Sequence, residues 1–139
     1  IQHVRDKNPY LKIEALIPDF KGDEILINKI CQANPDVICH NIETVESLQS
    51  RLRPQCRYSW SLDTLSTAAA KKNLIVKSSL MLGLGEKEEE VVRSMKDLVS
   101  AGCQILSLGQ YLRPSPRHLE VVEFIHPDKF FEYKEILLW

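Results

Sequence analysis

The chain has 139 residues, 44% of them apolar and 27% charged, with a formal net charge of −1. That length fits one domain spanning 1–139, and the charge balance excludes the basic excess of a nucleic-acid-binding surface. No apolar run approaches the roughly 20 residues of a membrane-spanning helix, so neither nucleic acid nor membrane is expected as a partner.

The elements alternate along the chain. LKIEALI (11–17) reads as a strand closed by Pro18 and Asp19. GDEILINKICQANP (22–35) has helical spacing: Asp23 is placed to cap it, Leu26, Ile30 and Ala33 share a face, and Pro35 ends it. DVICHNIE (36–43) is a short apolar run that turns polar, a second strand. TVESLQSRLRP (44–54) is a helix with Thr44 as candidate cap, although the acid that completes a capping box is missing three residues on. Tyr58 and Trp60 precede the next helix, SLDTLSTAAAKKN (61–73), and read as core packing. LIVKSSLMLG (74–83) is a third strand, mostly apolar as a buried parallel strand should be. In EKEEEVVRSMKDLVSAG (86–102), the clearest helix, Val91, Val92, Met95, Leu98 and Val99 form one stripe and Gly102 supplies the stop. CQILSLGQY (103–111) is a fourth strand, 112–124 begins irregularly, and HPDKFFEYKEILLW (126–139) is a last helix with Pro127 near its first turn. With Ile1 at one end and an uncapped apolar pattern at the other, the chain is expected to be an internal piece of a longer protein.

Strands alternating with helices imply βα units and a parallel sheet, either open or part of a barrel. In both architectures chemistry gathers at the carboxyl ends of the strands. Four such ends are polar or glycine-rich: Pro18-Asp19-Phe20, His40-Asn41-Ile42-Glu43, Gly83-Leu84-Gly85-Glu86 and Gly109-Gln110-Tyr111. A ligand site is expected where they converge. Gly83 and Gly85 remove Cβ where a planar or bulky ligand could approach the backbone, or they simply make a tight turn. The acids Glu86, Glu88, Glu89 and Glu90 suit a helix start but repel phosphate, so hydroxyls or a positive centre fit better.

Asn41 and Glu43 differ by two and share a side if strand geometry persists; both can hydrogen-bond sugar hydroxyls, or they can form a helix-entry turn. Lys77 lies inside the third strand. It can be a desolvated Schiff-base nucleophile, or it can reach the rim or pair with an acid. Gln110 and Tyr111 can offer an amide and a phenol to the rim, and Arg113, Arg117 and His118 form a small basic loop suited to a carboxylate or an acidic protein, or to solvent. The four cysteines, Cys31, Cys39, Cys56 and Cys103, are separated by gaps of 8, 17 and 47 residues, which is not metal-ligand spacing, and read as reduced thiols.

In order, IPDFKGD, HNIETV, KSSLMLGLGE, LGQYLRPS and RHLEV resemble the lipoyl synthases, from about Ile13 to Phe131. The resemblance implies a partial (β/α)6 TIM-like barrel, here about four βα units from its C-terminal part. It also implies a radical S-adenosylmethionine enzyme that uses two [4Fe–4S] clusters and inserts sulfur at C6 and C8 of an octanoyl group. The substrate lysine would belong to a lipoyl carrier domain or a glycine cleavage H protein, and electrons would come from a ferredoxin or flavodoxin. The implied compartment is the cytoplasm, or the mitochondrial matrix or plastid of a eukaryote.

By the same resemblance, Asn41 and Glu43 would meet the ribose, while Ser79, Met81, Gly83 and Glu86 match the family's GxIxGxxE element at the adenine, with Ser79 in place of its first Gly. The glycines would then make room for the base. Related biotin synthases place an Arg at the methionyl carboxylate where this chain has Ser61. Lys77, Gln110, Arg113 and His118 are the substrate-side candidates. The sequence contains no CxxxCxxC, no CxxxxCxxxxxC and no RSSY. This stretch is therefore expected to hold no cluster and to be inactive alone. Two other readings stay open: a Schiff-base barrel lyase using Lys77, and a noncatalytic module that binds the carrier through the loop from Arg113 to His118.

Overall fold

The computed structural model describes residues 1–137; the end of the predicted last helix, Leu138 and Trp139, lies outside them. Four strands, β1 (Glu14–Leu16), β2 (Val37–Cys39), β3 (Ile75–Leu82) and β4 (Ile105–Gln110), form one parallel sheet in the order β1-β2-β3-β4. The α-helices are α1 (Gln2–Lys7), α2 (Glu24–Gln32), α3 (Glu46–Leu52), α4 (Tyr58–Ala69), α5 (Glu88–Ser100) and α6 (Pro127–Leu137). Parallel neighbours in chain order, each joined by a helical crossover, are the repeating unit of a βα barrel, and the sheet is a portion of one. Among the described residues no helix is long and apolar enough to cross a membrane.

The strand period of two decides which face carries the core. Along β3, Val76, Ser78, Leu80 and Leu82 are buried, whereas Ile75, Lys77, Ser79 and Met81 are not. The buried set packs with Ile27, Ile38, Leu65, Val91, Met95 and Leu98 of the neighbouring strand and helices. At about 1.5–3 kcal/mol per buried aliphatic side chain, this helix-side layer holds the sheet. The opposite face stays open, with Leu16, Ile75 and Ile105 exposed on it. Register places Cys39 beside Lys77, and Ser79 and Met81 beside Ser107 and Gly109, so these residues share that open face.

Several local expectations shift. Asp23 does cap α2, its Oδ1 accepting from the Ile25 and Leu26 amides. The buried stripe of α2, however, is Ile27 and Cys31, with Leu26 exposed; the helix is rotated by about one residue from the predicted face. Thr44 does not cap α3: the N-cap is Val45, and the Thr44 hydroxyl is buried without a partner. The Tyr58-to-Trp60 segment is the first turn of α4 rather than its approach. The first helix, α1, has no buried residue and carries no periodic signal. It is tethered by Arg5 to Asp36 at 2.8 Å. Asp36 also accepts from the Ile13 amide and from Lys12, and these contacts, the backbone one foremost, hold its carboxyl at about 2.

Two devices shape the carboxyl end of the sheet. The first is His40, 2% exposed, whose Nδ1 lies 2.9 Å from the Ile17 carbonyl and Nε2 2.9 Å from Ser61 Oγ. A carbonyl only accepts, so Nδ1 carries the hydrogen and Nε2 accepts from the serine. The ring thus ties the ends of β1 and β2 to α4, and burial pushes its basicity below the ordinary imidazole value. The second is a strap, residues 119–125. Its Val122 amide donates to the Gly83 carbonyl at 2.8 Å, and Gln110 Oε1 accepts from the Ile125 amide at 2.9 Å. Gly83 sits at φ +99, and a Cβ there would run into Gln110 Nε2 and the Glu123 carbonyl.

Two outcomes are expected. Neutral His40 contributes stability that is complete above about pH 6.5 and is lost as pH falls through the lower folded-state value. The urea midpoint should therefore drop below about pH 6.5, and His40→Gln should flatten that drop. Equal pH slopes in the two proteins would contradict the assignment. Gly83→Ala should destabilise by roughly 2–5 kcal/mol in denaturant titration, combining backbone strain with a contact that cannot relax cheaply.

Candidate functional site at the carboxyl end of the sheet

The site is built on the end of β2. The Ile42 amide donates to Ser78 Oγ at 3.2 Å, and its carbonyl accepts from Gln49 Nε2 at 2.7 Å. With His40 and Ile42 both fixed on the helix side, the alternation turns Asn41 and Glu43 toward the open face. The Glu43 amide donates to the Ser79 carbonyl at 3.1 Å, and the Glu43 carbonyl accepts from the Met81 amide at 2.8 Å. These bonds extend the ladder past β2 and hold Glu43 at φ +71, the left-handed region that a non-glycine residue occupies at a cost of order 1 kcal/mol. Such outliers concentrate where a side chain must be aimed.

Asn41, Glu43, Ser79 and Met81 are thus brought together. Beyond them opens a cleft of about 530 Å³ lined by Glu43, Met81, Arg51, Arg53, Arg117 and His118, with apolar walls from residues such as Leu112 and Leu119. Among the described residues the Glu43 carboxylate takes up no hydrogen bond and no ion pair. Asn41 Oδ1 accepts from the Cys39 thiol at 3.3 Å. Beside Met81, Gly109 faces open space: a Cβ added there would meet nothing within 4 Å. The glycine whose bare backbone borders open space is therefore Gly109. The bareness of Gly83 serves the chain's own strap, and Gly85 likewise lies against Val122.

Other sequence candidates lie elsewhere or are already engaged. Ser61 is fully buried behind the sheet against His40, so the structure does not bring it to the mouth. Glu86 accepts from the Gly83 and Leu84 amides at 2.6 and 2.9 Å, closing the turn after β3. Gln110 points to the strap side: Nε2 donates to the Tyr111 and Glu123 carbonyls while Oε1 takes the Ile125 amide, so neither end of the amide is left for a ligand. Arg113 organises its own loop, donating to the His118 and Pro116 carbonyls and pairing with Glu120. The Tyr111 hydroxyl donates to the Leu119 carbonyl. His118 lines the cleft, with Nδ1 against Ser115 Oγ at 2.9 Å. Lys77, lower on the open face, donates to both oxygens of Glu14 at 2.9 and 3.0 Å, and this contact raises its basicity.

Arg51 and Arg53 were legible as an Arg-x-Arg pair before Pro54, but cations are ordinary at a helix C-terminus and nothing in the periodicity aimed them. Arg53 reaches toward Asp19 at 3.8 Å and the Asn41 carbonyl at 3.4 Å.

The residues present differ in what they fit. Among the described residues no group of three His, Cys, Asp or Glu side chains could hold a metal ion. All four cysteines are free thiols, and burial raises each above its ordinary value, which disfavours the thiolate a cluster requires. This donor set does not fit an iron–sulfur cluster. A nucleoside fits better: a carboxylate with no partner among the described residues for hydroxyls, an apolar Met81, and the open backbone at Gly109.

No family model matches the chain. Against curated proteins it is 48% identical to the lipoyl synthase of Caldicellulosiruptor bescii, over 99% of the chain and 48% of that relative. It is 49% identical to the lipoyl synthase of Oleidesulfovibrio alaskensis, over 96% of the chain and 45% of the relative. The lipoyl synthase of Tropheryma whipplei strain Twist is 48% identical over 97% of the chain and 38% of its own length. The chain spans about half the length of the curated relatives it matches, or less, and over that stretch it belongs to the lipoyl synthase family.

Proposed function

We propose that this chain supplies the nucleoside-binding rim of a lipoyl synthase whose remaining half lies outside it. The observation that carries the reading is Glu43, a carboxylate aimed from left-handed backbone into an open cleft, with no partner among the described residues. Two ribose hydroxyls suit it, because a carboxylate can accept both, and hydrogen bonds to a charged group contribute about 1.5–3 kcal/mol. The Asn41 carboxamide adds a donor beside it. Met81 and the gap at Gly109 suit the flat face of adenine, and Ser79 presents a hydroxyl on the same face.

S-adenosylmethionine, when bound with the clusters that other parts of the protein would hold, supplies the radical chemistry for sulfur insertion at C6 and C8 of an octanoyl-lysine. The part of this chain is to bind, orient and exclude water. The lysine would come from a lipoyl carrier domain or H protein, and the electrons from a ferredoxin or flavodoxin. A Schiff-base reading is disfavoured by Lys77 itself: its bidentate pairing with Glu14 keeps it protonated, and an ammonium cannot attack a carbonyl.

In the full-length protein, Glu43→Gln should weaken S-adenosylmethionine binding roughly tenfold to a hundredfold in equilibrium dialysis. Unchanged affinity would remove Glu43 from the site. Gly109→Val should leave the denaturation midpoint nearly unchanged, since an added Cβ meets nothing within 4 Å, while covering the bare backbone and weakening binding. If affinity survives that substitution, the base lies elsewhere. Borohydride should trap no carbonyl substrate on Lys77.

A further inference from the structure

The same cleft has a second chemical character that the nucleoside does not use. Arg51, near the end of α3, and Arg117, in the loop after β4, line it from different parts of the chain. Four other arginines are engaged: Arg5 with Asp36, Arg53 with Asp19 and the Asn41 carbonyl, Arg113 within its loop, and Arg57 over the Trp60 ring at 5.0 Å; Arg93, on α5, does not line this cleft. Among the described residues the guanidinium groups of Arg51 and Arg117 have no hydrogen-bond or ion-pair partner. The chain as a whole is slightly acidic, yet this cleft gathers three arginines and His118 against a single acid, Glu43.

We propose that Arg51 and Arg117 form a docking site for a carboxylate on the polypeptide that carries the lysine to be modified. This rests on the functional reading above and deepens it. A planar guanidinium fork matches a carboxylate bidentately, which a lysine ammonium does not. Leu112 and Leu119 offer apolar surface in the cleft walls for the stem of the side chain that bears the carboxylate. The position is also apt: the arginines share one cleft with Glu43 and Met81, so a polypeptide that delivers its side chain toward the nucleoside passes over them. Their unpaired charge would speed encounter with an acidic surface and set which lysines are accepted.

The test uses the full-length protein and two synthetic peptides carrying an octanoylated lysine, one flanked by glutamates and one by glutamines. The acidic peptide should bind about tenfold or more tightly, with a preference that shrinks as salt rises. In the double variant Arg51→Gln with Arg117→Gln that preference should vanish, while affinity for the glutamine peptide and for S-adenosylmethionine is retained. A preference that persists in the double variant, or is absent from the unaltered protein, overturns the inference. So does a double variant that loses S-adenosylmethionine but keeps the preference, which would assign the pair to the carboxylate of that cofactor. An unaltered protein that binds neither S-adenosylmethionine nor either peptide overturns the functional reading itself, and the docking site with it.

Discussion

The arrangement depends on the period of two at the end of β2. Two residues there, His40 and Ile42, are fixed on the helix side by four side-chain hydrogen bonds, to Ile17, Ser61, Ser78 and Gln49. A strand cannot bury alternate residues without turning the others outward, so Asn41 and Glu43 have one face available. Slipping the register by one residue would drive a carboxylate into the core, where an unpaired charge costs several kcal/mol. The interior therefore specifies the rim: the buried polar pins are what aim the exposed acid. The left-handed backbone of Glu43 is the local cost of continuing the ladder to Ser79 and Met81 while keeping that aim.

A second constraint acts at the end of β3. The strap after β4 lies against Gly83, whose carbonyl accepts from Val122 and whose missing Cβ admits Gln110 and Glu123. Glu86 closes the turn from the other side through the Gly83 and Leu84 amides. The loop and strap form one lip of the cleft, and α3 forms the other. What remains between them is a face with apolar walls, one unpartnered acid and two unpartnered arginines. A carboxylate suits hydroxyls and guanidinium suits carboxylates, so the two halves of the cleft call for different ligand groups side by side.

Much of this was legible in the sequence. Alternating strand and helix periods predicted the parallel sheet, the rule that chemistry sits at strand carboxyl ends led to Asn41 and Glu43, and the resemblance to the lipoyl synthases added Ser79 and Met81. The rest depended on long-range contacts that no local pattern encodes. Ser61 was a candidate only through the resemblance to biotin synthases, and no local pattern shows that its partner is His40, 21 positions away. Gln110 and Arg113 looked like rim donors until the strap and loop claimed their hydrogen bonds. The two glycines of the GLG stretch were read as room for a ligand, whereas the chain itself lies against them: Gln110 and the Glu123 carbonyl at Gly83, and the Val122 side chain at Gly85. Gly109 drew no such reading, because an ordinary strand glycine gives no signal until its neighbours across the sheet are known. Thr44 matched a capping pattern, but burial of the preceding residues places the helix start one residue later.

The central claim is that a nucleoside lies on the open face between the ends of β2, β3 and β4. Photolabelling of the full-length protein with an azidoadenine analogue of S-adenosylmethionine, followed by peptide mapping, addresses it most directly. The account predicts crosslinks confined to the segments around Met81 and Gly109, suppressed by excess unlabelled compound. Competable labelling of the outer helices α2 or α5, with the strand ends untouched, would contradict it.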